Sequence, residues 1–126
     1  QATTNTNTVV EQTVVEPASI ERSIFFVINK SEVRECEIGK VDEIAAFMHE
    51  YPTANLVMTG YADKGTGNAK INNRLSRLRV QAVVEALTSR GVEVTRIFTN
   101  FLGDTVQPYQ DNDLNRVVIG IAREQK

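Results

Sequence analysis

Residues 60–79 read Gly60-Tyr61-Ala62-Asp63-Lys64-Gly65-Thr66-Gly67-Asn68-Ala69-Lys70-Ile71-Asn72-Asn73-Arg74-Leu75-Ser76-Arg77-Leu78-Arg79. The residues leading into it, 54–61, carry Leu56, Val57 and Met58 in succession and read as a buried strand. Beyond it, apolar residues recur at helical spacing from residue 68 to residue 90, and Gly91 then supplies a C-terminal stop. The stretch is therefore a handover from strand to helix. Ligands of open α/β sheets collect at such places. A single acid, Asp63, stands in this one, followed by a loop with two glycines.

On a helical wheel with Leu75 as origin, Lys70, Arg74, Arg77, Gln81, Glu85 and Thr88 share a solvated face. Ile71, Leu75, Leu78, Val80, Ala82, Val83, Val84, Ala86 and Leu87 fill most of the remainder. Arg79, Asn72 and Ser76 fall inside this apolar sector, at about 40°, 60° and 100°, as a contiguous polar wedge. Burying an unpaired guanidinium costs several kcal/mol, so Arg79 needs a partner or a crevice. Two readings stand side by side. In one, Asp63 and Arg79 form an ion pair that locks loop to helix. In the other they are held apart, the acid for an ammonium and the arginine for a carboxylate of one zwitterionic ligand. Gly65 and Gly67 would then let that ligand approach the backbone.

Working outward, residues 23–28 form a β-branched and aromatic run, read as a strand covered on both faces. Residues 37–50 place Ile38, Val41, Ile44, Ala45 and Met48 on one helical stripe that Pro52 ends. Residues 94–102 read as a third strand with Ile97, Phe98 and Phe101, and residues 103–113 as a loop holding Pro108. Residues 116–122 alternate as a last strand, with Val117, Ile119 and Ile121 expected inward. The order β-α-β-α-β-β predicts an α/β (α+β) domain with a mixed, partly parallel sheet and two main helices packed on it. Residues 1–18 lack either period and read as a flexible segment or linker before a domain at 19–126, with Val9-Val10 or Val14-Val15 able to add to a sheet edge.

The 126 residues suffice for one core. A net charge of −2 supplies no basic field, so neither nucleic acid nor an anionic membrane surface is expected as a partner. No run approaches the ~18 apolar residues of a membrane helix. The first residue is Gln1 and no signal-peptide pattern follows, so the chain is read as a processed product or an excised domain. Cys36 is the sole cysteine, so no internal disulfide is possible, and it has no histidine nearby in sequence to make it a nucleophile. His49, the sole histidine, reads as a surface residue rather than a metal ligand. The glycine loop lacks the Gly-Lys-Ser/Thr ending of a phosphate-binding loop. Ser76 has no base beside it in sequence and reads as a hydrogen-bonding residue near the helix start. Tyr109 is a candidate for stacking on a sugar. With no catalytic set to assemble, the chain is read as not an enzyme, and no cofactor or metal is expected.

Gly60-Tyr61-Ala62-Asp63 followed by Asn72-x-x-Leu75-Ser76-x-x-Arg79, then Val83 and Leu87, resembles the C-terminal peptidoglycan-binding domain of the outer membrane protein A and peptidoglycan-associated lipoprotein family. Gly103-Asp104-x-x-Gln107-Pro108 and Asn115-Arg116-Val117-Val118-Ile119 fit that family's closing pattern, and the resemblance covers about residues 20–122. It implies a non-catalytic module on the periplasmic face of a Gram-negative outer membrane, anchoring its carrier to the cell wall. Asp63 would hold the ammonium, and Arg79 the carboxylate, of diaminopimelate in the peptidoglycan stem peptide. Asn72 would lie beside the ligand, with Ala62, Lys64 and Thr66 lining the slot and Tyr61, Ser76 and Arg116 in support. Family members occur as monomers and dimers, so a homodimer is open. The loop between Asp63 and Asn72 is about one residue longer than in many members. Val80 stands where alanine is usual, and one arginine precedes the late valines where two are common. Arg116 is accordingly expected to brace the loop rather than touch the ligand. The alternative is a protein-interaction module closed by an internal Asp63–Arg79 salt bridge.

Overall fold

A computed structural model describes residues 17–125. The expectations for Val9-Val10 and Val14-Val15 lie outside the described residues. The elements follow the expected order: β1 Ser19–Phe25, α1 Ile38–Glu50, β2 Asn55–Tyr61, α2 Ala69–Thr88, β3 Ile97–Gly103 and β4 Val117–Arg123. Short 3₁₀ turns occupy Glu35–Glu37, Val94–Arg96 and Asn112–Asn115. The sheet order is β1-β4-β2-β3. Strands β2 and β3 are parallel, and β4 runs antiparallel to both of its neighbours. The last strand thus inserts between the first two, which brings residues 115–118 beside the end of β2.

Both helices pack on one face of this sheet. Ile24, Ile44, Met48, Leu56, Met58, Val83, Leu87 and Val118 form a continuous core between the layers. Among the described residues nothing packs on the centre of the other face, where Val57, Phe98 and Ile121 are exposed. Two expectations are corrected here. The strand from residue 23 is not covered on both faces: it begins at Ser19, ends at Phe25, lies at a sheet edge, and the following Val27 and Ile28 are exposed. In β4 the inward set is Val118, Gly120 and Ala122, one residue out of phase from the expected Ile119 and Ile121, although Val117 is also buried. The helices lie too close for the bulkier set. A Cβ on Gly120 would stand 3.4 Å from Ile44 Cδ1 and 3.5 Å from Leu56 Cδ1, so small residues face the helix layer.

Helix α2 starts where its cap requires. The Asn68 side chain accepts a hydrogen bond from Ile71 N at 2.9 Å, and Gly91 past the far end adopts φ +85. Residues 94–96, expected as strand, form a 3₁₀ turn before β3 begins at Ile97. His49 is exposed and its Nε2 lies 2.8 Å from Arg90 O, linking the ends of the two helices.

Candidate ligand site at the sheet–helix junction

The polar wedge on α2 is buried as the wheel requires: Asn72 and Ser76 are shut off from solvent and Arg79 has no exposed surface. What it packs against is backbone. A Cβ on Gly60 would collide with Ser76 O, so α2 touches the end of β2 directly, with no room for any side chain. Gly103, at φ +56, brings the end of β3 against the backbone of Asn73. Ser76 Oγ donates to Asn73 O at 2.8 Å and accepts from Gly103 N at 3.1 Å. Asn72 Nδ2 faces Thr66 O at 2.9 Å, Asp104 Oδ2 at 3.0 Å and Asp63 O at 3.3 Å. Two of the wedge residues therefore rivet the Asp63 loop and the end of β3 to the helix.

Arg79 reaches the other way. Its Nε donates to Lys30 O at 2.9 Å, Nη1 to Tyr61 O at 3.1 Å and Nη2 to Val27 O at 3.4 Å. The guanidinium also lies 5.4 Å from the centroid of Phe26. It ties the β1–α1 turn, where Asn29 takes φ 59, to the end of β2. Burial pushes its pKa down to about 10, with Asp63 opposing that and Arg116 adding to it, so it stays cationic at neutral pH. Carbonyl dipoles and one second-sphere carboxylate hold this charge; no acid lies within 4 Å among the described residues.

Asp63 is 2% exposed. Its Oδ2 accepts from Thr66 Oγ1 at 2.7 Å and Asn112 Nδ2 at 2.9 Å, and Oδ1 stands 3.6 Å from Arg116 Nη1. Burial raises its pKa, but the Thr66 and Asn112 hydrogen bonds and the Arg116 charge outweigh that and hold it below the ordinary aspartate value. The direct Asp63–Arg79 salt bridge of the interaction-module reading is not formed. Asp63 has Arg116 as its cationic neighbour instead, because β4 delivers that residue to the loop while backbone carbonyls occupy three of the five N–H groups of Arg79.

Residues that received no role from the sequence form the second wall. Gln107 Nε2 donates to Ala62 O at 3.0 Å, and its Oε1 accepts from Lys64 N at 3.0 Å. Asn112 Oδ1 accepts from Gly65 N at 2.8 Å, and a Cβ on Gly65 would collide with that amide. The close approach at Gly65 is thus made by Asn112. Asn115 pins Tyr109 through both backbone groups. Tyr109 itself packs on Phe25, with centroids 5.8 Å apart, and its hydroxyl lies 2.8 Å from Ser23 Oγ. Burial and then the neighbouring Tyr109 raise the pKa of Tyr61. Arg116 Nε donates to Phe26 O at 3.3 Å and Nη1 meets Asp113 at 3.4 Å. In the sequence, Gln107 and Asn115 stood only as parts of the closing pattern of the resemblance, without a role, and Asn112 carried no signal beyond turn chemistry in general. Beside it, a cleft of about 400 Å³ opens between Phe26, Val27, Ile28, Arg34, Leu114 and Arg116.

Asp63, Thr66, Asn72, Asn112 and Arg116 thus share one hydrogen-bonded and ion-paired network at the carboxyl end of β2, buried at Asp63 and Asn72 and open to solvent at Asn112, and Arg79 adjoins it through Tyr61 O. That defines a mixed-sheet α/β domain with a charged junction where sheet passes to helix. The chain belongs to the OmpA family, whose model matches residues 25–118. It is 31% identical over 113 residues to outer membrane protein 40 of Porphyromonas gingivalis, an alignment that takes in 90% of this chain and 30% of that protein. The chain therefore spans less than a third of that relative's length. The peptidoglycan-associated lipoprotein of Burkholderia pseudomallei shares the fold with a TM-score of 0.75 at 21% identity, over 80% of this chain and 89% of that one. The cell wall anchor of the type VI secretion system of Pseudomonas aeruginosa superposes with a TM-score of 0.68 at 18% identity, over 89% and 85%.

Proposed function

We propose that this domain is a non-catalytic peptidoglycan-binding module that tethers an outer-membrane component to the cell wall from the periplasmic side. The ligand is the diaminopimelate of the stem peptide, its ammonium directed to Asp63 and its carboxylate to the guanidinium side of the junction. One observation carries the reading. A carboxylate held ionised and a guanidinium held cationic lie in adjoining networks at the end of β2 without neutralising each other. The family membership and the cell-wall anchoring proteins that share the fold support it.

The present contacts say where a ligand must compete. At 3.6 Å, the Arg116 contact to Asp63 is longer than a charge-assisted hydrogen bond, and because Asp63 is 2% exposed a ligand ammonium reaches it only as Arg116 gives way. Arg79 has no exposed surface, so a carboxylate reaches it only if the β1–α1 turn or the Arg116 side chain yields. One side chain of a short peptide buries little area, so single-site affinity is weak, and stable anchoring comes from many copies on one polymer.

The test is pull-down of the 126-residue chain by sacculi that carry diaminopimelate, against sacculi with lysine at that position. Asp63→Ala and Arg79→Ala should both abolish retention, with circular dichroism recorded to show that each variant is folded. Asp63→Asn keeps the hydrogen-bonding shape without the charge and should also fail. Retention undiminished in folded Asp63→Asn removes the site.

A further inference from the structure

The two edges of the sheet are built differently. Strand β1 carries Glu21 and Arg22 on its edge, and Arg22 Nε pairs with Glu43 at 2.8 Å, the kind of charged guard that discourages strand addition. Strand β3, Ile97-Phe98-Thr99-Asn100-Phe101-Leu102-Gly103, has neither charge nor proline. Among the described residues it pairs with β2 alone, so its outer edge has no strand against it. A groove of about 520 Å³ runs along that edge under α2, walled by Val80, Val84, Val94, Ile97 and Phe101. Val94 is 60% and Phe101 38% exposed, large apolar groups beside an unguarded strand.

The charges on the groove have an order. Arg77, with its guanidinium 5.8 Å from the Phe101 ring, stands at one end, and Glu85 with Ile97 at the other. Gln81 and Thr99 lie between them. Such an arrangement is complementary to itself when rotated by half a turn. We propose that the occupant of this edge is a second copy of the chain, the two β3 strands pairing antiparallel about a two-fold axis near Thr99. That operation sets Arg77 against Glu85 of the partner subunit and Phe101 against Ile97 of the partner subunit, twice over. Strands ~4.8 Å apart with α2 packed above β2 and β3 bring the two α2 axes to about 10 Å, the spacing of packed helices. One eight-stranded sheet results, with all four helices on one side and both junction sites clear of the interface.

The test is sedimentation velocity of the full 126-residue chain from micromolar to millimolar concentration. A dimer should form whose dissociation constant rises at least about tenfold in R77E and in E85R, because each sets like charges face to face twice. The double variant R77E/E85R should return to near the parent value, since it restores both pairs with reversed sign. In a Cys36→Ser background, Thr99→Cys should crosslink under mild oxidation, the two-fold placing its Cα atoms about 5 Å apart. A chain that stays monomeric throughout, or a dimer indifferent to all three charge variants, overturns the proposal. A chain that dimerises only after residues 1–16 are deleted shows that its own leading segment takes the edge, and that also overturns it.

Discussion

The two halves of α2 bury the same side of one helix and do opposite things with it. The C-terminal half inserts Val83 and Leu87 into the core, where the side chains need only shape and apolarity. The N-terminal part, up to Arg79, buries Asn72, Ser76 and Arg79, and each is hydrogen-bonded to named partners on other elements or on the helix itself. An apolar contact is non-directional, so the first half tolerates exchange of one hydrocarbon for another. The polar half is directional: removing one member strands the others in a dry environment.

The largest effect expected from breaking this contrast is at Arg79. Arg79→Ala leaves the carbonyls of Val27, Lys30 and Tyr61 without their donor, and should cost about 4 kcal/mol in urea unfolding. Arg79→Lys should recover only part of that, because an ammonium cannot reproduce the fork. Leu87→Ala in the apolar half should cost about 3 kcal/mol in the same measurement. Should Leu87→Met cost as much as Arg79→Lys, the directional distinction between the halves fails.

A smaller effect separates the network from the helix. Asn112→Ala removes one hydrogen bond to Asp63 and one to Gly65, and should cost about 1 kcal/mol. It should also raise the Asp63 pKa, observable by carboxyl-carbon NMR titration. The smallest concerns pH. The Asp63 pKa is depressed in the folded domain, so its stabilising contribution is complete above the ordinary value of 3.8 and is lost as pH falls through the lower folded value. Parent and Asp63→Asn should therefore differ in stability at neutral pH and converge in acid, below pH 3.8. A difference that persists unchanged into strong acid rules out an ionised Asp63 as the source.

Local sequence was a good guide to whatever depends on periods of a few residues. The six elements, the stop at Gly91 and the buried polar wedge of Asn72, Ser76 and Arg79 could all be read before any coordinates. The phase of β4 could not, because alternation defines two sets of residues without saying which one faces inward. Bulk favoured Ile119 and Ile121; in the fold Ile44 and Leu56 fill the space a larger side chain at Gly120 would need. The contacts of the second wall were equally illegible. Gln107, Asn112 and Asn115 look like ordinary loop residues until their amides are seen on Ala62, Lys64, Gly65 and Tyr109.

The chain alone thus determined that a charged junction exists and that Asp63 and Arg79 belong to it, because helix phase and strand ends are set by near neighbours. Only the tertiary structure decided their partners. Inserting β4 between β1 and β2 brings Arg116 to Asp63, and the β1–α1 turn offers its carbonyls to Arg79. Electrostatic pairing acts through space, and spatial neighbours far apart in sequence are chosen by the topology of the sheet.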